Sequence, residues 1–340
     1  MTKELGQTLF QKIGGEAGCQ RLAKDFYARV ALDPELRPLF PGKTLRCATE
    51  EFAAFLIQFF SGDESKTQYR WWLSLRESHA RFQISPSQKA AWLKDMNAAL
   101  EVSVADGESR AELSSFFEAA SSHILGSDET DLANPQVKEL WERQRGLDRL
   151  IECIASGCDA EAMAYAAHHA SRRSVTVGIM ARMIEAGREP LIGFVLDSLD
   201  RAPSLATARF NGRALIHFAA GSGCLPVLQA VLATGADPNV LDLGGHSPLY
   251  RVANGCGTEI GPPIVRELVR AGALVDLCGG VTRSTPLHAA ARWGHLAIAM
   301  TLVDAGASLE VRDSKGFTPL DRAQNCRRFE VAAALSSRGM

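Results

Sequence analysis

Residues 283–296 read Arg283-Ser284-Thr285-Pro286-Leu287-His288-Ala289-Ala290-Ala291-Arg292-Trp293-Gly294-His295-Leu296, and the front of this stretch returns three more times between residue 212 and residue 321. Its counterparts are Gly212-Arg213-Ala214-Leu215-Ile216-His217, Gly245-His246-Ser247-Pro248-Leu249-Tyr250 and Gly316-Phe317-Thr318-Pro319-Leu320-Asp321. Successive copies lie 33, 38 and 33 residues apart. A second marker keeps register with the first: Gly235-Ala236-Asp237-Pro238-Asn239, Gly272-Ala273-Leu274-Val275-Asp276 and Gly306-Ala307-Ser308-Leu309-Glu310. Each part has a physical reading. A hydroxyl before proline caps a helix whose first turn tolerates the missing N–H. The histidine behind it can bond a neighbouring turn, small alanines admit a second helix closely, and the later glycine suits a left-handed C-cap. A unit this short cannot bury its own apolar face, so its recurrence implies stacked helix pairs.

The pattern Thr-Pro-Leu-His-Ala-Ala, then Gly-His, then a helix closing on Gly-Ala, resembles the ankyrin repeat. The resemblance covers residues 211–340 in about four units, the last acting as a C-terminal cap. It implies a surface for a protein partner, with the turns at 241–244, 278–283 and 312–315 and the inner-helix faces as the contact regions. His217, His288 and His295 are then framework residues. The five extra residues of the second unit fall around 254–263 and are expected to lengthen the loop between its two helices. Upstream, 137–210 is helix-rich and reads as degenerate capping repeats, with an inner helix near 163–170 and an outer one over 190–199.

Residues 1–125 do not repeat. Leu22, Phe26, Tyr27 and Val30 share one helical face, and Phe52, Phe55, Leu56, Phe59 and Phe60 form a stripe at helical spacing. Ser85-Pro86 opens a further helix bearing Trp92, Leu93, Met96 and Leu100. A last helix is expected over 110–125. The polar, acidic stretch 126–136 ends in proline and reads as a linker. The first 122 residues contain a single histidine, His79, set within LRESHARFQI (75–84).

Composition sets limits on function. The 340 residues carry a net charge of −2, with 46% hydrophobic and 22% charged residues, which is globular composition. Residues 1–128 hold 15 basic against 17 acidic side chains and the remainder 22 of each, so neither half has the basic excess that nucleic acid requires. No run of 18 apolar residues suggests a membrane span, and the N-terminus lacks a signal-peptide pattern. Eight scattered cysteines without a CxxC pair suggest reduced thiols in a cytoplasmic protein rather than disulfides or zinc.

FYARVALDPELRPLF (26–40), FAAFLIQFF (52–60), LRESHARFQI (75–84) and AWLKDMNAAL (91–100) resemble, in order and spacing, the second group of truncated haemoglobins. Gly14-Gly15 fits the early turn of that family. The whole chain is therefore expected to be all-α, a truncated globin followed by an ankyrin solenoid. The resemblance implies haem b, its iron ligated by His79. Tyr27 corresponds to the distal tyrosine, Phe40 to the ring-stacking aromatic and Trp92 to the group's tryptophan. The usual distal-histidine position falls on Ala48, with Phe52 one turn on. Phe55 and Phe82 are expected against the haem, and Arg70 and Arg76 near its propionates. The family's second glycine pair is replaced by Ser61-Gly62-Asp63. Imidazole suits haem iron, and with no distal histidine, tyrosine and tryptophan would govern a bound gas. The implied function is binding of dioxygen or another diatomic gas, coupled to a protein partner for sensing or for localised gas binding. An enzymatic alternative is nitric oxide dioxygenation or peroxidase chemistry, for which the chain has no flavin or nicotinamide domain, so a reductase would be a separate protein. A haem-free scaffold is the third reading.

Overall fold

The computed structural model describes residues 8–40, 42–61, 74–80, 82–127, 132–169, 173–256 and 259–338. The chain divides into two compact units, one up to Glu152 and one from Cys153. Both are built of helices, as the sequence patterns imply.

In the first unit, α1 (Leu9–Lys12), α2 (Gly15–Val30) and α3 (Arg46–Ser61) precede the short α4 (Leu75–His79). They are followed by α5 (Pro86–Ser103), α6 (Gly107–Ile124) and α7 (Pro135–Ser156). The starts are written locally. Thr8 and Gln11 cap each other's backbone ahead of α1, Ser85 and Gln88 do the same for α5, and Asp106 accepts from the Ser109 N–H at α6. Gly14 and Gly15 turn the chain between α1 and α2 with φ of 91° and 60°. Gly18 serves a different purpose: a Cβ there would lie 1.8 Å from the Ile13 carbonyl oxygen. Helix α2 packs on α3 and α5, and α5 on α6. Their shared core holds Leu22, Phe26, Leu56, Met96, Leu100, Leu113, Phe116 and Phe117, all nearly inaccessible.

Helix α7 extends this unit beyond the expected boundary at 125. The Asn134 side chain caps it by accepting from the Gln136 and Val137 N–H groups. Leu132, Val137 and Trp141 join the core, and the Trp141 indole meets the Phe116 ring edge-on at 5.8 Å. A helix expected among the degenerate repeats thus spends its apolar face on the first unit, because Phe116 presents an aromatic surface to Trp141.

The second unit begins with α8 (Asp159–His169), α9 (Arg173–Ala186) and α10 (Glu189–Arg201). Strands β1 (Arg209–Phe210) and β2 (Arg213–Ala214) form a small antiparallel finger. Four helix pairs follow: α11 (Leu215–Ser222) with α12 (Leu225–Ala233), α13 (Pro248–Gly255) with α14 (Gly261–Arg270), α15 (Pro286–Trp293) with α16 (Leu296–Asp304), and α17 (Pro319–Asn325) with α18 (Phe329–Arg338). The first helices of each pair stack on one another, as do the second helices. Upstream, α9 packs on α11 and α10 on α12, so the inner helix next to the array is α9, whereas the described part of the 163–170 segment, residues 163–169, lies in α8.

The repeat residues behave as their chemistry suggests. Ser247, Thr285 and Thr318 accept from the backbone N–H three residues on. His288 Nε2 donates to the Phe317 carbonyl of the next unit at 2.9 Å, and His217 Nε2 to Val240 at 3.0 Å. Gly235, Gly272 and Gly306 close the outer helices at φ of 84°, 94° and 92°. Between α13 and α14 the chain runs from Cys256 to Ile260, where α11–α12 and α15–α16 need only two residues.

Candidate functional site

Helix α4 is too short to hold itself together in water, so its position is set by what it bonds. Ser74 caps it by accepting from the Glu77 N–H at 3.0 Å. The Leu75 carbonyl oxygen lies 2.8 Å from both Ser78 Oγ and His79 Nδ1. A carbonyl only accepts, so Nδ1 carries the proton and Nε2 carries the ring's lone pair. That tautomer is the one required of an imidazole ligating through Nε2.

The residues named from sequence converge on this helix through a run of rings. Phe82 lies 6.3 Å from the His79 ring, and Phe40 lies 6.3 Å from Phe82. Tyr27 meets Phe40 edge-on at 5.7 Å and Phe52 at 6.1 Å. Phe52 adjoins Phe55 at 6.2 Å and Trp92 at 6.5 Å. Phe55 is buried, whereas Tyr27, Phe40, Phe52, His79, Phe82 and Trp92 are half-buried. The chain folds this way because Phe26, next to Tyr27, turns fully into the core and takes Trp92 and Phe52 as neighbours at 5.1 and 5.6 Å. Ala48, half-buried on α3, lies one turn before Phe52.

Burial, reinforced by the nearby Glu51 carboxylate, pushes the Tyr27 phenol well above its ordinary value, so it remains an O–H donor. Among the described residues no group of three or more His, Cys, Asp or Glu side chains could hold a bare metal ion. The donor set around His79 is instead one imidazole among aromatic faces, which fits a metal already held by a flat apolar ring. The residues present therefore fit haem.

Arg76 Nε donates to the His123 carbonyl at 3.0 Å, and its Nη1 lies 3.9 Å from the Glu152 carboxylate. Arg70 and the Ser61-Gly62-Asp63 replacement fall largely in 62–73, outside the described residues.

Two residues escaped sequence reasoning. His123 near the end of α6 and Asp148 on α7 are both 3% exposed, and their Nε2 and Oδ2 atoms lie 2.6 Å apart. The second carboxylate oxygen, Oδ1, accepts from the Leu75 N–H at 2.7 Å. Nothing in helical periodicity marks such a pair. The only sequence signal is an ionisable residue on the apolar side of a helix, visible once α7 is placed.

In the second unit, buried Asp242 accepts from Arg251 Nε at 2.8 Å and stands 3.9 Å from Arg213, and Asp313 pairs with Arg322. These bonds tie each finger to the helix behind it. Among the described residues, no helix is long and apolar enough to cross a membrane.

Comparison with known proteins agrees with this division. Residues 8–125 match the bacterial-like globin family, and 216–313 and 252–340 match the family of ankyrin repeats in three copies. Group 2 truncated hemoglobin YjbI of Bacillus subtilis is 31% identical over 117 residues, 34% of this chain and 88% of that protein. Ankyrin repeat and SOCS box protein 16 of Homo sapiens is 33% identical over 133 residues, 37% of this chain and 28% of that protein. Diacylglycerol kinase iota of Mus musculus is 41% identical over 96 residues, 28% of this chain and 9% of that protein. The chain thus spans under a third of the length of these last two proteins. Globins generally bind haem, and ankyrin repeats mediate protein interaction. The chain belongs, through residues 8–125, to the group 2 truncated haemoglobins, and carries an ankyrin-repeat array in the same polypeptide.

Proposed function

We propose that the first unit binds haem b through His79 and takes dioxygen or another diatomic gas, and that the ankyrin array holds a protein partner that responds to that state. The observation that carries this reading is the Nδ1 hydrogen bond of His79 to Leu75 at 2.8 Å, which presents Nε2 as the ligating nitrogen among aromatic rings. Bound haem would supply an iron centre that takes up a small gas reversibly. Around it, Phe40, Phe52, Phe55 and Phe82 exclude water, and the Tyr27 hydroxyl and Trp92 indole N–H offer hydrogen bonds to the gas. Ala48 contributes no side-chain donor.

Absorption spectra of the purified chain in ferric, ferrous and carbon monoxide forms test the reading. A Soret band is expected on haem addition and is expected to vanish in His79→Ala with the helical signal of circular dichroism unchanged. No Soret band in the unaltered chain overturns it. Coupling has a separate requirement, since a gas can bias a partner only through unequal affinity for the two forms. Equal partner affinity for ferrous and gas-bound chains would remove the sensing part and leave gas binding.

A further inference from the structure

The helix that bears His79 is gripped from behind by residues outside the globin match. Asp148, on α7, lies 23 residues past the end of that match at 125. Its carboxylate bridges two groups: Oδ2 accepts from His123 Nε2 at 2.6 Å, and Oδ1 accepts from the Leu75 N–H at 2.7 Å. Leu75 is the same residue whose carbonyl receives the His79 Nδ1 proton. A single residue therefore separates the Asp148 carboxylate from the imidazole. Arg76, next along, donates to the His123 carbonyl and faces Glu152, so α4 is fastened to α6 and α7 at two consecutive positions.

We propose that Asp148 is a positioning residue for the iron ligand, and that it ties the orientation and basicity of His79 to the seating of α7. The inference rests on the haem reading above. Its physical basis is that the partner of a ligating histidine's second nitrogen fixes ring orientation and ligand strength. Here that partner is a backbone carbonyl on a five-residue helix, and a carbonyl is only as well placed as the residue bearing it. The Leu75 N–H is one of the N-terminal donors a helix cannot satisfy internally. A buried carboxylate is a stronger acceptor for it than any neutral group. His123 in turn holds the carboxylate in place, and both are nearly inaccessible to water. Displacing α7 would move Asp148, release Leu75 and lengthen the bond to Nδ1. Helix α7 is the last element of the first unit, and the chain runs on from it through α8, α9 and α10 to the array.

Asp148→Asn keeps the shape and removes the charge. In the ferrous, gas-free full chain, the iron–histidine stretching band of Asp148→Asn is expected at lower frequency than in the unaltered chain. Haem loss is expected to be about tenfold faster, the lower end of the range for partners of metal-ligating histidines. Hydrogen exchange at the Leu75 amide in the haem-free chain should also accelerate. Val137→Ala serves as the control, because Val137 packs in the same core from α7 without touching this chain of bonds. It should weaken folding yet leave the stretching band in place. An unchanged band and unchanged Leu75 exchange in Asp148→Asn overturn the inference, as does an equal shift of the band in Val137→Ala. Failure of the haem reading is a separate result: an unaltered chain that takes up no haem overturns both.

Discussion

At the scale of single residues the site depends on which nitrogen of His79 holds the proton. The Leu75 carbonyl takes the Nδ1–H, Ser78 Oγ lies 2.9 Å from the same nitrogen, and the run of rings beside it brings in two donors, Tyr27 and Trp92. Tyr27 is the more deeply committed of the two, since burial holds its phenol in the neutral form. Tyr27→Phe removes one donor and changes little in volume. It is expected to speed dioxygen release about fivefold, the equivalent of about 1 kcal/mol for one hydrogen bond. Stopped-flow displacement of dioxygen by carbon monoxide measures this, and an unchanged rate would mean that Trp92 alone contacts the gas. The residue names were legible in the sequence through their order and spacing. The tautomer was not, because it depends on a carbonyl four residues back that only the folded α4 brings to Nδ1.

At the scale of elements, the starts and stops of helices follow from short-range chemistry. Thr318 shows this clearly: its Oγ accepts from the Asp321 N–H, while the Asp321 carboxylate accepts from the Thr318 N–H and hydroxyl. Those bonds, the backbone one first, hold the Asp321 carboxyl below the usual carboxylate range. Thr318→Ala should destabilise the last repeat by about 1 kcal/mol, read as a lower urea midpoint. Gly18 makes the opposite point, a residue chosen for what it lacks. Gly18→Ala places a methyl group against the Ile13 carbonyl and should cost about 2 kcal/mol through forced displacement of α1 from α2. A midpoint equal to that of the unaltered chain would show that the corner relaxes freely. Ser85, Thr285 and Thr318 announce their helices in the sequence. The packing role of Gly18 does not, because a close approach of two backbone segments leaves no local signature.

At the scale of the molecule, each unit has its own electrostatic character. In the array, burial lowers His217, His246 and His288 below the ordinary value of 6.5, so the folded form keeps them neutral. The unfolded chain takes up protons at that ordinary value. Folding stability of the array should therefore be complete above about pH 6.5 and decline as pH falls below it. Asp242 and Asp313 have depressed values despite burial, because backbone N–H groups and the arginines beside them favour the charged form. Their contribution is lost only under more acid conditions, below the ordinary carboxylate value of 3.8. The urea midpoint of the full chain should thus drop between pH 7.5 and 5.5. His288→Gln should show a smaller drop over the same interval, and an equal drop would mean that His288 titrates alike in both states.

Two periodicities written in the sequence determined most of the architecture. The 33-residue recurrence around Thr285-Pro286-Leu287-His288 required stacked helix pairs, since no single unit can bury its own apolar face. The stripes Leu22, Phe26, Tyr27, Val30 and Phe52, Phe55, Leu56, Phe59, Phe60 set the core faces of α2 and α3, since the spacing of a helical face is a local property. The roles of Phe40, His79 and Trp92, by contrast, were implied by the resemblance to truncated haemoglobins. The tertiary structure alone decided where α7 belongs. Its pattern of apolar residues fits a repeat helix or a globin helix equally well, and the choice was made by Phe116 and His123 receiving Trp141 and by Asp148 finding the Leu75 N–H. Those contacts join residues 18 to 73 positions apart, and a helix that reads the same in either setting carries no local sign of them.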